Sequence, residues 1–136
     1  MTKKLVQNGF IAAGLINILG ILTFSKLFSN DVIPETDPIV MSNFGLVMIM
    51  VWGIAFIAVS KNYEKVKWVV CTFAIEKLCY VIAWLIWFGK NDLSSVYQKD
   101  VLAGIFYSVY GVNDLLFMIF FIIVFFKINK SKIGYK

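Results

Sequence analysis

Histidine and arginine are both absent from this chain, cysteine and proline occur twice each, and charged residues make up only 15% of it. Each shortage closes a route. Without histidine and with two cysteines there is no ligand set for a structural zinc site or a histidine-held haem, and the commonest general base of enzyme catalysis is missing. Without arginine there is no bidentate fork for carboxylate or phosphate. The accompanying richness in Lys, Ile, Asn and Phe is the composition an AT-rich genome produces, so the missing arginine needs no functional explanation. A GxxxxGK phosphate loop, a nucleophile elbow and a zinc motif are lacking as well. No metal and no cofactor are expected. Cys71 and Cys79 lie eight residues apart on one expected helix, about 12 Å along its axis, too far for a disulfide between them. They read as small apolar packing residues, with pairing between subunits as the alternative.

What the chain has instead is hydrophobicity. Of its 136 residues 60% are hydrophobic and 17% aromatic, and the mean hydropathy of +0.82 lies outside the soluble globular range. Four apolar runs occupy about residues 9–28, 39–60, 68–88 and 101–126. Each is close to the ~20 residues a helix needs to cross about 30 Å of hydrocarbon. The expected fold is all-α: a single integral membrane domain over residues 1–136, a four-helix transmembrane bundle running up-down-up-down.

Lys3 and Lys4 ahead of the first run also fit a signal peptide. Thr23 and Ser25 make a poor cleavage pattern and the run is long, so an uncleaved helix is the preferred reading. A polar loop at 29–38 holds both prolines with Asp31, Glu35 and Asp37, and a second at 89–100 holds Asn91, Asp92, Ser94 and Ser95. The basic connection at 61–67 is short enough to imply an antiparallel helical hairpin. Trp68 at one end of the third run and Trp84 and Trp87 toward the other suit interfacial belts or helix packing.

Lysines set the orientation. Lys3, Lys4, Lys61, Lys65, Lys67, Lys127, Lys130, Lys132 and Lys136 fall on one side, against Lys26, Lys90 and Lys99 among acids on the other. Both termini are therefore expected on the cytoplasmic side of a bacterial inner membrane. The pI of 9.2 is accounted for by anionic lipid headgroups beside the basic loops. Aromatics occupy the apolar runs instead of a basic groove, which argues against a nucleic-acid partner.

Three ionisable residues sit where a bilayer tolerates them least: Glu76 and Lys77 in the middle of the third run, and Asp114 in the middle of the fourth. One Asp or Lys at a helix centre costs about 2.5–3.5 kcal/mol on insertion scales. Antiparallel neighbours put Lys77 and Asp114 at the same depth. Glu76, about 100° from Lys77 around the helix, borders the same inner face. The expected polar seam has Thr72, Glu76, Lys77 and Tyr80 facing Tyr107, Tyr110 and Asp114, with Asn17 at similar depth and Asn113 adjacent. Asn17 and Asn43 read first as interhelical hydrogen-bond glue. Gly104, Ser108 and Gly111 have the small-residue spacing that permits close helix approach.

Two carboxylates and one ammonium leave a surplus negative charge. A dry seam holds one carboxyl protonated; a water-filled or ligand-filled cavity is the other solution. Lys77 with Asp114 or with Glu76 could equally be an ion pair that fixes helix register and does no chemistry.

The segments Glu-Lys-Leu-Cys-Tyr at 76–80 and Asn-Asp-Leu-Leu-Phe at 113–117 resemble a class of small, uncharacterised bacterial four-span integral membrane proteins with a Lys in the third helix and an Asp in the fourth. The resemblance implies a bundle in the cytoplasmic membrane and transfers no activity. Three functions compete. One is a proton- or ion-linked transporter or channel component, with Glu76 and Asp114 as proton or cation sites, Lys77 as counter-charge, and Tyr80 and Tyr110 as gates. A second is an accessory protein that binds a partner membrane protein or lipid. The third is a membrane enzyme acting on a lipid-soluble substrate through Glu76 or Asp114. Beyond the bilayer, the partners in view are a second copy of the chain, another membrane protein, or a small lipophilic or ionic ligand.

Overall fold

A computed structural model describes the backbone of residues 1–133 and the side chains of residues 1–128. Its helices are α1 (Lys3–Phe24), α2 (Val32–Thr36), α3 (Asn43–Val59), α4 (Lys67–Lys90), α5 (Leu93–Lys99) and α6 (Val101–Ile133), with one 3-10 turn at Tyr63–Lys65. Among the described residues there is no strand. Three helices, α1, α4 and α6 as far as Ile128, are long and apolar enough to cross a membrane. The fourth apolar helix, α3, has 17 residues, about 26 Å at 1.5 Å per residue.

The helix ends follow from local hydrogen bonding. Thr2 caps α1, its hydroxyl accepting from the Leu5 amide at 3.2 Å. The first helix stops at Phe24, four residues short of the expected end. Lys26, Leu27 and Phe28 there adopt φ of 50°, 55° and 66°, a left-handed turn that costs non-glycine residues roughly 1–2 kcal/mol each. Asp100 ties the turn down. Its carboxylate accepts from Lys26 Nζ at 2.5 Å and Asn30 Nδ2 at 2.9 Å, and caps α6 by accepting from the Ala103 amide at 2.8 Å. These donors, Lys26 foremost, hold the Asp100 carboxyl below the usual carboxylate range.

The second apolar helix starts at Asn43, later than the expected 39, for a related reason. Asp37 Oδ1 accepts from the Ile39 and Val40 amides at 3.3 and 3.0 Å, and Ser42 caps Gly45 at 3.1 Å, so residues 37–42 are a turn of their own. Neither expected polar loop is plain. Helix α2 lies in the first, with Ile33 fully buried. The second contains α5, capped by Asp92 through the Ser94 and Ser95 amides and burying Val96. At the C-terminus the helix continues through the expected basic tail as far as Ile133. The side chains of Lys130 and Lys132, and Lys136 altogether, lie outside the described residues.

The long helices pair as α1 with α3 and α4 with α6, while α6 also touches α1 and carries α5. At Gly14 and Gly53 the α1 and α3 backbones meet. A Cβ on Gly14 would stand 2.4 Å from the Gly53 carbonyl oxygen, and one on Gly53 would stand 2.8 Å from the Gly14 oxygen. The expected close approach at Gly104 and Gly111 is different in kind. Gly104 receives the Tyr97 ring and Gly111 the Trp84 ring, so the small residues make room for aromatic side chains and not for a neighbouring helix backbone. The Ser108 hydroxyl lies 2.8 Å from that of Tyr97.

Two apolar clusters fill the interior, one toward each end. The first gathers Phe10, Phe56, Phe73 and Phe121, with Phe56 and Phe73 edge to face at 4.8 Å. The second holds Trp87 stacked on Tyr107 at 4.4 Å and Phe106 on Tyr110 at 5.2 Å. Trp87 is therefore core, whereas Trp68 is exposed. At the end of the first cluster, Lys3 pairs with Glu64 at 2.7 Å and Lys127 donates to the Met1 carbonyl. Lys3 holds the Glu64 carboxyl below its ordinary range.

Candidate functional site: a charged centre between two cores

Between the two clusters, α4 carries Glu76 and Lys77 inward, and α6 brings Asp114 to meet them. Lys77 is 1% exposed. Its ammonium donates to Asp114 Oδ1 at 2.8 Å and Asn17 Oδ1 at 3.2 Å, and lies 5.2 Å from the centroid of the Phe56 ring. Asn17 passes the connection on, its Nδ2 donating to the Ile49 carbonyl on α3 at 3.1 Å. Asn113 Nδ2 donates to Asp114 Oδ1 at 3.2 Å. One lysine thus links α1, α4 and α6, and through Asn17 reaches α3.

Glu76 has a different environment. It is 6% exposed, and among the described residues neither carboxyl oxygen has a hydrogen-bond partner. The Lys77 ammonium stands 3.8 Å from Oε2, a distance at which charge is felt but no hydrogen bond forms. Of the two pairings left open by the sequence, Lys77 with Asp114 is the hydrogen-bonded one.

The remaining seam residues divide. Tyr107 points elsewhere: its hydroxyl donates to the Ile33 carbonyl at 2.8 Å, pinning the loop that carries α2 onto the bundle. Thr72 is exposed and donates to the Trp68 carbonyl within its own helix at 3.0 Å. Tyr110 is buried, and its hydroxyl has no hydrogen-bond partner among the described residues. Tyr80 is half-buried beside Glu76 in the lining of a groove. Asn43 is exposed at the start of α3. Two contributors escaped the sequence reading, the Phe56 ring under Lys77 and the Ile49 carbonyl behind Asn17. A phenylalanine four residues after Trp52 carries no sequence signal for a cation contact, and a backbone acceptor carries none at all.

Openings flank the centre. A cleft of about 120 Å³ between α1, α3 and α6 is bordered by Asn17, Tyr110, Asn113 and Asp114. A larger groove of about 580 Å³ runs between α3 and α4, with Trp52, Glu76 and Tyr80 in its walls. Among the described residues no three His, Cys, Asp or Glu side chains gather as a metal site.

A scan against protein-family models, a search of curated proteins and a search of solved structures each return no match. The chemistry of the centre has to come from its own geometry. A buried carboxylate without a donor is costly. It is relieved by a proton, or by a cation that comes to it.

Proposed function

We propose that this chain is a multi-pass protein of the cytoplasmic membrane, with α1, α3, α4 and α6 crossing the bilayer and both termini inside. We further propose that Glu76 is a cation site occupied alternately by a proton and by a positively charged ligand, making the protein a small proton-linked carrier. The orphaned Glu76 carboxyl carries this reading. Among the described residues the cation beside it is Lys77, already hydrogen-bonded to Asp114 and Asn17, so Glu76 is free to exchange partners without dismantling that link. The lysine-rich end formed by Lys3, Lys65 and Lys127 against the acidic loops at the other end supports the orientation.

The test is a pH titration of the protein in nanodiscs, followed by the infrared band of a protonated buried carboxyl. That band should appear and disappear with pH in the wild type and in Asp114→Asn, and be missing in Glu76→Gln. A band insensitive to Glu76→Gln would overturn the reading.

The Lys77–Asp114 pair favours a second reading, a register pin in an accessory membrane protein. In that case Glu76→Gln and Asp114→Asn leave any reconstituted flux unchanged.

A further inference from the structure

The groove between α3 and α4 has the volume of a small-molecule site, within the usual ~300–1,000 Å³. Phe44, Met48 and Trp52 line it from α3, and Glu76, Cys79 and Tyr80 from α4. Its walls are mostly apolar and aromatic, and Glu76, flanked one turn away on either side by Thr72 and Tyr80, is the one carboxyl side chain among the lining residues. The Glu76 side chain is more than nine-tenths buried, borders the groove, and has neither oxygen hydrogen-bonded among the described residues.

Charge complementarity selects the occupant. A lipid acyl chain would satisfy the walls but offer the Glu76 carboxyl neither a hydrogen-bond partner nor a counter-charge, and so gains nothing from that group. An anion would be repelled. A bare metal ion would find one carboxyl where hard cations need several oxygens, and no gathering of three acidic or sulfur ligands is present among the described residues. A positive charge on an apolar body meets every element: the carboxylate as counter-ion, the Trp52 and Tyr80 rings as π-faces, and the remaining walls as apolar contact.

We propose that this groove binds a small lipophilic organic cation taken from the bilayer, with Glu76 as its counter-ion. The inference rests on the proton-exchanging Glu76 proposed above and names what the proton is exchanged for. The exchange balances: the Glu76 carboxyl releases one proton to water as one monovalent cation docks, so the net charge of the centre is the same before and after. Lys77 and Asp114 remain paired throughout. The Glu76 oxygens are covered, so a rotamer change toward the groove accompanies docking.

The experiment uses the full chain in nanodiscs, with tetraphenylphosphonium as probe, tetraphenylborate as the anion of the same shape, and empty nanodiscs as the blank for partitioning. Saturable tetraphenylphosphonium binding is expected, with about one proton released per cation to a weakly buffered dye and no saturable binding of tetraphenylborate. Glu76→Gln should weaken binding about thirtyfold or more, the usual scale for removing one partner of a buried charge pair, and abolish proton release. Trp52→Leu should weaken binding several-fold and leave the proton count unchanged, which covers the case of a Glu76 variant that fails to fold. Equal affinity in wild type and Glu76→Gln, tighter binding of the borate, or no saturable binding by the wild type would each overturn the proposal. The infrared titration without probe separates the two failures. A Glu76 that titrates but binds no tetraphenylphosphonium removes the lipophilic cation and keeps the proton site, whereas a silent Glu76 removes both.

Discussion

Replacing Lys77 by Met should be among the most damaging single changes in this protein, and part of its cost should be recovered when Asp114 is replaced as well. In Lys77→Met, Asp114 keeps only the Asn113 amide at 3.2 Å among the described partners, Asn17 Oδ1 loses its donor, and Glu76 loses the cation 3.8 Å away. Breaking a buried pair from one side typically costs about 3–5 kcal/mol, and here two carboxyls are stranded by one substitution. Asp114→Leu is the gentler half. It leaves Lys77 with Glu76 as a substitute partner, and the cleft of about 120 Å³ beside Asp114 gives the larger side chain room. Its cost should be about 1.5–3 kcal/mol, the range for a hydrogen bond to a charged group. The double variant replaces the pair with apolar side chains, which removes the Asp114 share of the loss, but still leaves Glu76 without its cation, so it should recover about 2 kcal/mol or more relative to Lys77→Met and remain below the wild type. The coupling free energy should therefore exceed about 2 kcal/mol. The measurement is detergent-driven unfolding in mixed micelles, read by far-ultraviolet circular dichroism and tryptophan fluorescence. A Lys77→Met protein as stable as wild type, or a double variant no better than Lys77→Met alone, would refute the account of the centre.

Gly53→Ala forces a methyl to within 2.8 Å of the Gly14 carbonyl oxygen and should cost about 1–3 kcal/mol through overpacking, in the same unfolding assay. Gly20→Ala, with nothing within 4 Å of the added carbon, serves as its control and should be neutral or slightly stabilising. Tyr107→Phe removes the donor to the Ile33 carbonyl and should cost about 1–3 kcal/mol, with faster amide exchange over residues 30–38. The Asp100 carboxyl is held below its ordinary range by Lys26 and its neighbours. Its contribution is therefore full above the unfolded-state carboxylate range and is lost as the pH falls through the lower folded value. Wild-type stability should drop more steeply on acidification than that of Asp100→Asn, and identical acid limbs would contradict the assignment.

Depth along a helix was the part of the site most readable from residue order. The rise per residue is constant, so Lys77 and Asp114 can be placed at one level on antiparallel helices before any coordinates exist, and Glu76 follows as the neighbour turned aside. Direction around the axis was less readable. Tyr107 belongs by spacing to the same face as Asp114, yet its hydroxyl reaches the Ile33 carbonyl in the distant connection between α1 and α3, and no side-chain pattern announces a backbone acceptor. The small residues of α6 illustrate a second limit. Spacing reveals that something must come close at Gly104 and Gly111, but a Trp84 ring and a neighbouring backbone leave the same vacancy in the sequence. The close backbone contact falls at Gly14 and Gly53, on helices whose glycines show no such repeat. Helices α2 and α5 were hidden because five- and seven-residue amphipathic segments are too short for periodicity to register.

The distribution of polar partners among the helices bears on how such a chain is assembled. In the α1–α3 pair, Asn17 finds its acceptor, the Ile49 carbonyl. In the α4–α6 pair, Lys77 finds Asp114. Each hairpin closes one buried polar contact upon itself, and the Lys77–Asn17 bond forms across the two. In the four-span arrangement proposed above, a pair of helices leaving the insertion machinery together sheds that burden before the second pair arrives, as stepwise association of preformed helices requires. Swapping Asp114 into the first hairpin, at equal net charge and composition, would break that self-sufficiency, so its effect should register in insertion yield even when the finished bundle is stable.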